Sequence, residues 1–260
     1  MNTTTNPFYI VARESGSMRN DLPLWGSRVE NPLLLQELPA TSQQAVSRIE
    51  VAGVPGAFQL LNILTSEECK AFVDAAETMG FTEDASVSLG RNVRHNMNLN
   101  WIVDSATERL IWSRAATKFS DDTTHFWAKE PLGLNQRFRF YRYEKGDFFS
   151  MHTDGAWPGS QIINGQPVAD AFGDRYSLYT FLIFLSDDFV GGETQFMVDK
   201  NDPTRPARKT LDASLKGIRT PAGGALCFPH GTHPLQCLHA SEEVAKGKKY
   251  IIRTDVLFSL

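Results

Sequence analysis

The stretch QRFRFYRYEKGDFFSMHTD, residues 136–154, contains two runs rich in aromatic residues, separated by the polar sequence EKGD. In the first run, side chains alternate so that Tyr141 and Tyr143 share one face of an extended chain, which is typical of a β-strand. In the second run, His152 and Asp154 stand two residues apart, and a strand directs such a pair to the same side. The stretch therefore predicts two strands, the second of which places an imidazole beside a carboxylate where a metal ion could bind.

Further strands are predicted on both sides of this stretch. Short apolar or alternating runs bounded by Gly, Pro and Asp predict strands, and they occupy residues 136–143, 148–153, 177–185, 193–198, 224–229 and 248–258. The long segment 155–176 between two of these runs contains Trp157 and predicts a lid over the site, because long loops in compact domains are commonly functional.

The first half of the chain carries helical signals. The run TSEECKAFVDAAETMG has Thr65 and Glu68 as a capping box and predicts a helix that ends at Gly80. A second helix is predicted to begin at Ser105, with Glu108 as its capping partner. Helices followed by many short strands indicate an α+β fold, with the strands closed into a barrel or a two-sheet jelly roll.

The chain of 260 residues, 42% of them apolar, is long enough to bury a sizeable core. Residues 1–55 lack clear periodicity and predict an irregular N-terminal arm, and residues 56–260 predict a single domain whose catalytic core begins near residue 135. The oligomeric state cannot be read from the sequence.

Charge and cysteine content restrict the partners and the compartment. A formal net charge of −4 leaves no basic surplus for phosphates, so we predict no nucleic-acid partner. Neither a signal peptide nor an apolar span is evident, so we predict a cytoplasmic protein without a membrane partner. The three cysteines, an odd number without CxxC spacing, predict buried thiols in a reducing compartment: Cys69, Cys227 and Cys237.

Three histidines near the C-terminus supply candidates for a further metal ligand, and they are His230, His233 and His239. Two imidazoles with one carboxylate form a facial triad, which suits Fe(II) and leaves coordination positions open. The same ligand types also suit a zinc hydrolase or a metal-binding domain without catalytic activity. The residues alone leave open which histidine completes the site.

Four motifs in order resemble those of the Fe(II)/2-oxoglutarate-dependent dioxygenases of the prolyl 4-hydroxylase type: RYEKGDFFSMHTD, YTFLIFLSDDFVGGETQF, GGALCF and LHASEEVAKGKKY. The resemblance implies a double-stranded β-helix, or jelly-roll, core with N-terminal flanking helices. It also implies that His152, Asp154 and His239 bind iron, so that His230 or His233 replaces His239 only if the register differs.

The same resemblance implies residues that bind the cosubstrate 2-oxoglutarate. Lys249 corresponds to the lysine that holds its far carboxylate, Thr180 to a threonine that assists, and Tyr143 to a tyrosine that hydrogen-bonds the cosubstrate. Alternation brings Tyr141 to the same face as Tyr143. Arg253, four residues beyond Lys249 on the same strand face, is an alternative because a guanidinium matches a carboxylate in two places.

The function implied is hydroxylation of an unactivated C–H bond with Fe(II), 2-oxoglutarate and dioxygen, releasing succinate and carbon dioxide. We expect the substrate to be a small molecule or amino-acid-like compound. A prolyl or protein side-chain hydroxylase of the same family is an alternative, as is a non-catalytic metal-binding jelly roll that recognises a ligand. A zinc hydrolase would leave Lys249, Thr180 and Tyr143 unexplained.

Overall fold

The computed structural model describes residues 6–37, 45–87, 89–120, 129–202, 204–207 and 210–260. The helices are α1 (Ser66–Met79) and α2 (Ser105–Ser120). The strands up to residue 143 are β1 (Phe8–Glu14), β2 (Leu22–Ser27), β3 (Ser47–Glu50), β4 (Phe58–Leu61), β5 (Arg94–His95), β6 (Met97–Ile102), β7 (Pro131–Leu134) and β8 (Arg137–Tyr143). The later strands are β9 (Phe148–His152), β10 (Gln161–Ile163), β11 (Gln166–Val168), β12 (Arg175–Phe184), β13 (Val190–Gly191), β14 (Thr194–Asp199), β15 (Ala213–Ile218), β16 (Ala225–Pro229), β17 (His239–Ser241), β18 (Val244–Lys246) and β19 (Lys249–Ser259).

Two sheets dominate this architecture. The larger has the strand order β1-β2-β6-β8-β19-β12-β16-β4-β3, with β7 paired to β19, and the smaller has the order β15-β14-β17-β9-β5. Side chains from both sheets line one cavity: Tyr143 and Lys249 come from the larger sheet, and His152 and His239 from the smaller. The two sheets therefore face each other across that cavity, and the described part of the chain is mostly β-structure with two α-helices.

The central strands of the larger sheet are buried on both faces. Strand β19 is buried along almost its whole length and pairs antiparallel with β8 on one side and β12 on the other. One face of this sheet lines the cavity, while the other packs on α1, where Phe72 lies 6.1 Å from the Trp101 ring and 6.2 Å from the Phe140 ring. Burial on both sides explains why β12 reads from Leu178 to Phe184 as an apolar run interrupted only by Thr180.

The predicted strands agree closely with the structure. Six of the observed strands, β8, β9, β12, β14, β16 and β19, begin and end within two residues of the predicted runs. Helix α1 also has the predicted capping box, in which the Thr65 side chain accepts from the Glu68 backbone and the Glu68 carboxylate accepts from the Thr65 backbone. All three cysteines are buried thiols, as predicted. Among the described residues, no helix is long and apolar enough to cross a lipid bilayer.

The N-terminal segment is more regular than the sequence predicts. Residues 1–55 were expected to form an irregular arm, yet they contribute β1 and β2 to one edge of the larger sheet and β3 to the other. A bulge between Ile10 and Ala12 interrupts the pairing of β1 with β2. Strands β1 and β3 are the edges of the sheet, where one side of the backbone needs no partner, so a regular alternating pattern is not required there.

Helix α2 begins at Ser105 as predicted, but its cap differs. The Asp104 carboxylate accepts from the backbone N–H groups of Ala106 and Thr107, which satisfies donors that the first turn leaves free. Glu108, the expected capping partner, instead accepts a hydrogen bond from the Leu134 backbone, 2.8 Å away. Glu108 thus connects α2 to β7, a long-range contact that local sequence does not encode.

A buried ion pair joins both helices to the N-terminal segment. Arg114 on α2 donates two hydrogen bonds of 2.7 Å to the carboxylate of Glu68 on α1. It also donates to the carbonyl of Ile63, at 2.7 Å, and to that of Gln36. A guanidinium with this many acceptors fixes three chain segments relative to one another.

Replacing Arg114 by alanine should lower the free energy of unfolding by about 3–5 kcal/mol, because Glu68 would keep its charge in a buried place without a partner. Urea unfolding followed by circular dichroism measures this change. Lys70→Ala is the control, since Lys70 and Asp74 form an exposed pair and the change there should stay below about 0.5 kcal/mol. Equal effects of the two substitutions would contradict the proposed importance of the buried pair.

Candidate metal and cosubstrate site

Three predicted ligands converge at one point between the sheets. The candidate ligand atoms of His152, Asp154 and His239 all lie within 4.8 Å of one another. His152 on β9 is directly opposite His239 on β17, and Asp154 follows two residues after the end of β9. Asp154 Oδ1 lies 3.7 Å from His152 Nε2, and Asp154 Oδ2 lies 3.6 Å from His239 Nε2. Adjacent strands of the smaller sheet therefore supply all three groups.

Both histidines present a nitrogen lone pair to this point. His152 Nδ1 lies 2.8 Å from the Ser150 carbonyl and His239 Nδ1 lies 3.3 Å from the Cys237 carbonyl, so each Nδ1–H donates to the backbone and each Nε2 is left as an acceptor. Burial lowers the pKa of His152 and lowers that of His239 to about 3. Both rings are therefore neutral near pH 7, the state that binds a metal.

Asp154 is a buried carboxylate held in its charged form. Burial by itself would raise the pKa of Asp154, but Arg253 and the neighbouring imidazoles together more than offset this, and the pKa lies well below its usual range. Its Oδ2 accepts from Thr180 Oγ1 at 2.6 Å and from Arg253 Nε at 3.2 Å. Two neutral imidazoles and one ionised carboxylate fit an octahedral Fe(II) ion with positions left for other ligands.

The two remaining C-terminal histidines lie outside this cluster. His233 is buried and packs edge-on against Tyr179, with ring centroids 5.4 Å apart. His230 is also buried and its Nδ1 lies 2.8 Å from Thr180 Oγ1. Because the Thr180 hydroxyl donates its hydrogen to Asp154, His230 Nδ1 is the donor to Thr180, which makes His230 a support for the ligand Asp154.

His230 extends this support towards the segment 155–176. Its Nε2 accepts from Ser177 Oγ at 2.9 Å, and Ser177 Oγ in turn accepts from the Trp157 backbone N–H at 2.8 Å. The pKa of His230 is lowered to about 4 by burial, so the ring is neutral and has one donor and one acceptor. A continuous row of hydrogen bonds thus runs from Trp157 through His230 to the metal ligands.

The two candidate cations for 2-oxoglutarate occupy different ends of the cavity. Lys249 is fully buried and its Nζ donates to the Gly192 carbonyl and to Ser241 Oγ, both at 2.8 Å. Arg253 is bound to Asp154, as described above, and its Nη2 donates to Asp255 Oδ1 at 2.9 Å. The lysine therefore lies at the end remote from the metal ligands, and the arginine lies beside them.

Thr180 lies with Arg253 at the metal end. In the pairing of β12 with β19, Thr180 is opposite Asp255, six residues beyond Lys249 and about 20 Å further along the strand. Instead of the expected contact with a carboxylate at Lys249, its hydroxyl donates to Asp154. The reason is the register of β12, which the sequence of that strand alone does not specify.

Two hydroxyl groups at the Lys249 end of the cavity, those of Thr194 and Ser241, were not predicted from the sequence. Thr194 on β14 is directly opposite Ser241 on β17, and both line the cavity with Lys249. Ser241 could have been found, since it stands two residues after His239 and a strand places both on one face. The predicted Tyr141 and Tyr143 also line the cavity, and the Tyr143 ring lies 5.1 Å from Lys249 Nζ.

A second cavity of about 200 Å³ is lined in part by Arg139, the residue opposite Arg253 in the pairing of β8 with β19. Trp157 forms part of its wall, and the guanidinium of Arg139 lies 5.1 Å from the centre of the Trp157 ring. The segment 155–176, predicted as a lid, forms a hairpin of β10 and β11 with positive φ angles at Asn164 and Gly165. That turn suits an Asn-Gly pair.

The chain is similar to prolyl 4-hydroxylases over most of its length. Prolyl 4-hydroxylase 13 of Arabidopsis thaliana is 25% identical over 216 residues, which cover 80% of this chain and 74% of the plant protein. The crystal structure of a Pseudomonas putida prolyl-4-hydroxylase has a TM-score of 0.51 at 12% identity and covers 79% of this chain and 94% of that one. A prolyl hydroxylase from Trichoplax adhaerens, solved with a hypoxia inducible factor oxygen degradation domain peptide fragment, has a TM-score of 0.51 at 14% identity and covers 85% of this chain and 86% of that one.

No protein-family model matches the chain. The relatives nevertheless support a prolyl 4-hydroxylase-like enzyme, and the His152–Asp154–His239 cluster could hold a metal ion. The predicted resemblance is thereby confirmed. The structural likenesses establish the similarity of fold.

Thr180→Val should weaken Fe(II) binding about 10- to 100-fold, because Asp154 loses one of the two donors that orient it. Anaerobic titration of the protein with Fe(II) measures the affinity. Thr254→Val is the matched control, since Thr254 is also buried but its hydroxyl donates to the Asn135 carbonyl. An unchanged affinity in Thr180→Val, or an equal loss in both variants, would contradict the role of Thr180.

Proposed function

We propose that this protein is an Fe(II)- and 2-oxoglutarate-dependent oxygenase that hydroxylates an unactivated C–H bond. We further propose that its two facing sheets form a double-stranded β-helix, or jelly roll. The observation that carries the proposal is a buried His–Asp–His cluster at one end of a cavity whose other end holds a fully buried lysine. A dicarboxylic acid that binds a metal at one end and a cation at the other fits these two groups.

The lysine end is built to receive a carboxylate. Lys249 supplies a positive charge, and the hydroxyls of Thr194 and Ser241 supply further hydrogen bonds. Tyr143 is buried, and among the residues described no partner is found for its hydroxyl, which lines the same cavity. We assign these four residues to the far carboxylate of 2-oxoglutarate.

The metal end is built to hold one carboxylate oxygen for iron. Because Thr180 and Arg253 both donate to Asp154 Oδ2, Asp154 Oδ1 is the oxygen left for the metal, and it lies 3.7 Å from His152 Nε2. When bound, iron and 2-oxoglutarate together with dioxygen supply the oxidising power, and succinate and carbon dioxide are released. The chain contributes by orienting the ligands and by excluding water from the cavity.

We propose an amino-acid-like unit as the substrate. A prolyl residue in a peptide is one candidate, supported by the similarity to prolyl 4-hydroxylases and by the peptide bound to the Trichoplax adhaerens enzyme. A free small molecule is the other, supported by the modest size of the second cavity, about 200 Å³. In both, the reacting carbon must reach the metal past Arg253 and Trp157.

The proposed function is tested by oxygen-dependent release of succinate from 2-oxoglutarate by the protein with Fe(II). The wild-type protein should release succinate, whereas His239→Ala should release none. That variant should bind Fe(II) at least about 100-fold more weakly, because losing a metal ligand lowers the affinity more than losing a group that hydrogen-bonds to a ligand. The control is His95→Ala, at a half-exposed histidine paired with Asp147. Tight zinc binding without turnover of 2-oxoglutarate would favour a hydrolase, and iron binding without turnover would favour a recognition domain.

Lys249→Ala should weaken 2-oxoglutarate binding by about 30-fold or more, because removing a buried cation leaves the carboxylate unpaired at a cost of about 2–5 kcal/mol. Arg253→Ala should weaken Fe(II) binding more than 2-oxoglutarate binding. Lys248→Ala, at the neighbouring exposed lysine, should change neither. Anaerobic calorimetric titrations with 2-oxoglutarate and with Fe(II) measure both affinities, and a large loss of 2-oxoglutarate binding only in Arg253→Ala would transfer the role to the arginine.

The same titration repeated across pH gives a second check on Lys249. Burial lowers the pKa of Lys249 to about 7 in the free protein, and a carboxylate ligand favours its charged form. The affinity for 2-oxoglutarate should therefore fall as pH rises from 7 to 9. An affinity that stayed constant over this range would argue against an ammonium partner.

A further inference from the structure

We propose that the second cavity binds the carboxylate of a free amino acid, through the guanidinium of Arg139, and so presents this small substrate to the metal. This inference rests on the proposed oxygenase function and names the substrate class of that site. A carboxylate site would accept a free amino acid but not a residue within a peptide, because the carboxyl group of that residue is blocked by an amide bond.

Arg139 is a buried cation with unused donors. Its side chain lies on β8 with a residue exposure of 5% and lines the second cavity. Nη1 donates to Asp255 Oδ2 at 3.2 Å, and within the described part of the chain its other N–H groups have no hydrogen-bond partner. A buried guanidinium with a free edge is the group that a carboxylate satisfies with two parallel hydrogen bonds.

The charges around this cavity favour an anion. Glu14 pairs with Arg137, and both line the cavity. Arg139 shares its partner, Asp255, with Arg253. The cavity wall itself thus carries two guanidiniums, those of Arg137 and Arg139, against the one carboxylate of Glu14. A buried positive charge without a full partner is costly, and an incoming carboxylate relieves that cost.

The position of Arg139 connects the cavity to the metal. Arg139 and Arg253 are directly opposite each other on β8 and β19, and neighbouring strands are about 5 Å apart. Arg253 lines the metal cavity and binds Asp154, and Trp157 follows three residues after Asp154. A molecule whose carboxylate lies on Arg139 therefore extends its other end towards the iron ligands between Arg253 and Trp157.

The size and the lining of the cavity restrict the rest of the molecule. A volume of about 200 Å³ is below the range of about 300–1,000 Å³ that is usual for drug-sized ligands. Glu14 from the N-terminal β1 and Ala169 from the segment 155–176 form part of its wall. Glu14 also provides an acceptor for an ammonium group, so that a zwitterionic amino acid meets complementary charges at both ends.

Binding to the anaerobic protein that contains Fe(II) and saturating 2-oxoglutarate tests this proposal. The probes are the twenty common L-amino acids, each as the free acid and as the primary amide, and a proline-containing tripeptide blocked at both ends. Isothermal titration calorimetry should find at least one acid that binds at least about 30-fold more tightly than its amide, the loss expected when a charged partner is left unpaired.

Substitutions then assign the effect to one side chain. Arg139→Gln should reduce the affinity for that acid to the level of its amide. Arg139→Lys should give an intermediate affinity, since it keeps the charge towards Asp255 but loses the planar fork. Arg205→Gln, at an arginine whose side chain is 79% exposed, is the control and should not change binding. If Arg139→Gln fails to fold, the acid and amide comparison and Arg139→Lys decide.

Several outcomes would overturn the proposal. They are equal binding of acids and amides, binding by none of the acids, and binding of the blocked tripeptide alone, which would assign the site to peptides. Substrate-independent release of succinate from 2-oxoglutarate is measured in parallel. A protein that releases succinate yet fails the binding test would refute the carboxylate site and leave the oxygenase function intact.

Discussion

The burial of one carboxylate, that of Asp154, is the constraint on which the rest of the site depends. A carboxylate removed from water must remain paired, and Arg253 provides the pairing charge from the facing sheet. A buried arginine in turn requires an acceptor for its remaining donors, which Asp255 supplies. Asp255 has a second oxygen, and Arg139 binds to it. Each buried charge thus requires a partner of the opposite sign. The charges therefore alternate from Asp154 through Arg253 and Asp255 to Arg139.

This row also explains why the protein needs two sheets. The metal ligands stand on β9 and β17 of the smaller sheet or directly after β9, whereas the two groups that donate to Asp154, Thr180 and Arg253, stand on β12 and β19 of the larger. Separation of the two sheets would expose the cavity and break both of these contacts. The polar site therefore contributes to holding the sheets together, in addition to the apolar cluster that includes Phe196 and Phe228.

Much of this arrangement could be predicted from local sequence. The alternation in 137–143 and the spacing of His152 and Asp154 are properties of a single strand, and each strand retains them wherever it is placed. The contacts that were not predicted join residues that are distant in sequence. The hydroxyl of Thr180 contacts Asp154 only because of the register of β12, and Thr194 lies opposite Ser241 only because β14 pairs with β17. Edge strands of the N-terminal segment escaped for a different reason, since an edge need not alternate.

The row of hydrogen bonds from Trp157 to Asp154 has a polarity. Every donor points towards the metal ligand: the Trp157 N–H to Ser177, the serine hydroxyl to His230, the imidazole N–H to Thr180, and the threonine hydroxyl to the carboxylate. Each hydroxyl and the imidazole accept a hydrogen bond from the Trp157 side and donate one towards Asp154. The direction of these hydrogen bonds therefore cannot reverse unless His230 changes its tautomer. The backbone N–H of Trp157, a residue that lines the second cavity, and the carboxylate of Asp154 therefore belong to one row of hydrogen bonds in which each bond polarises the next.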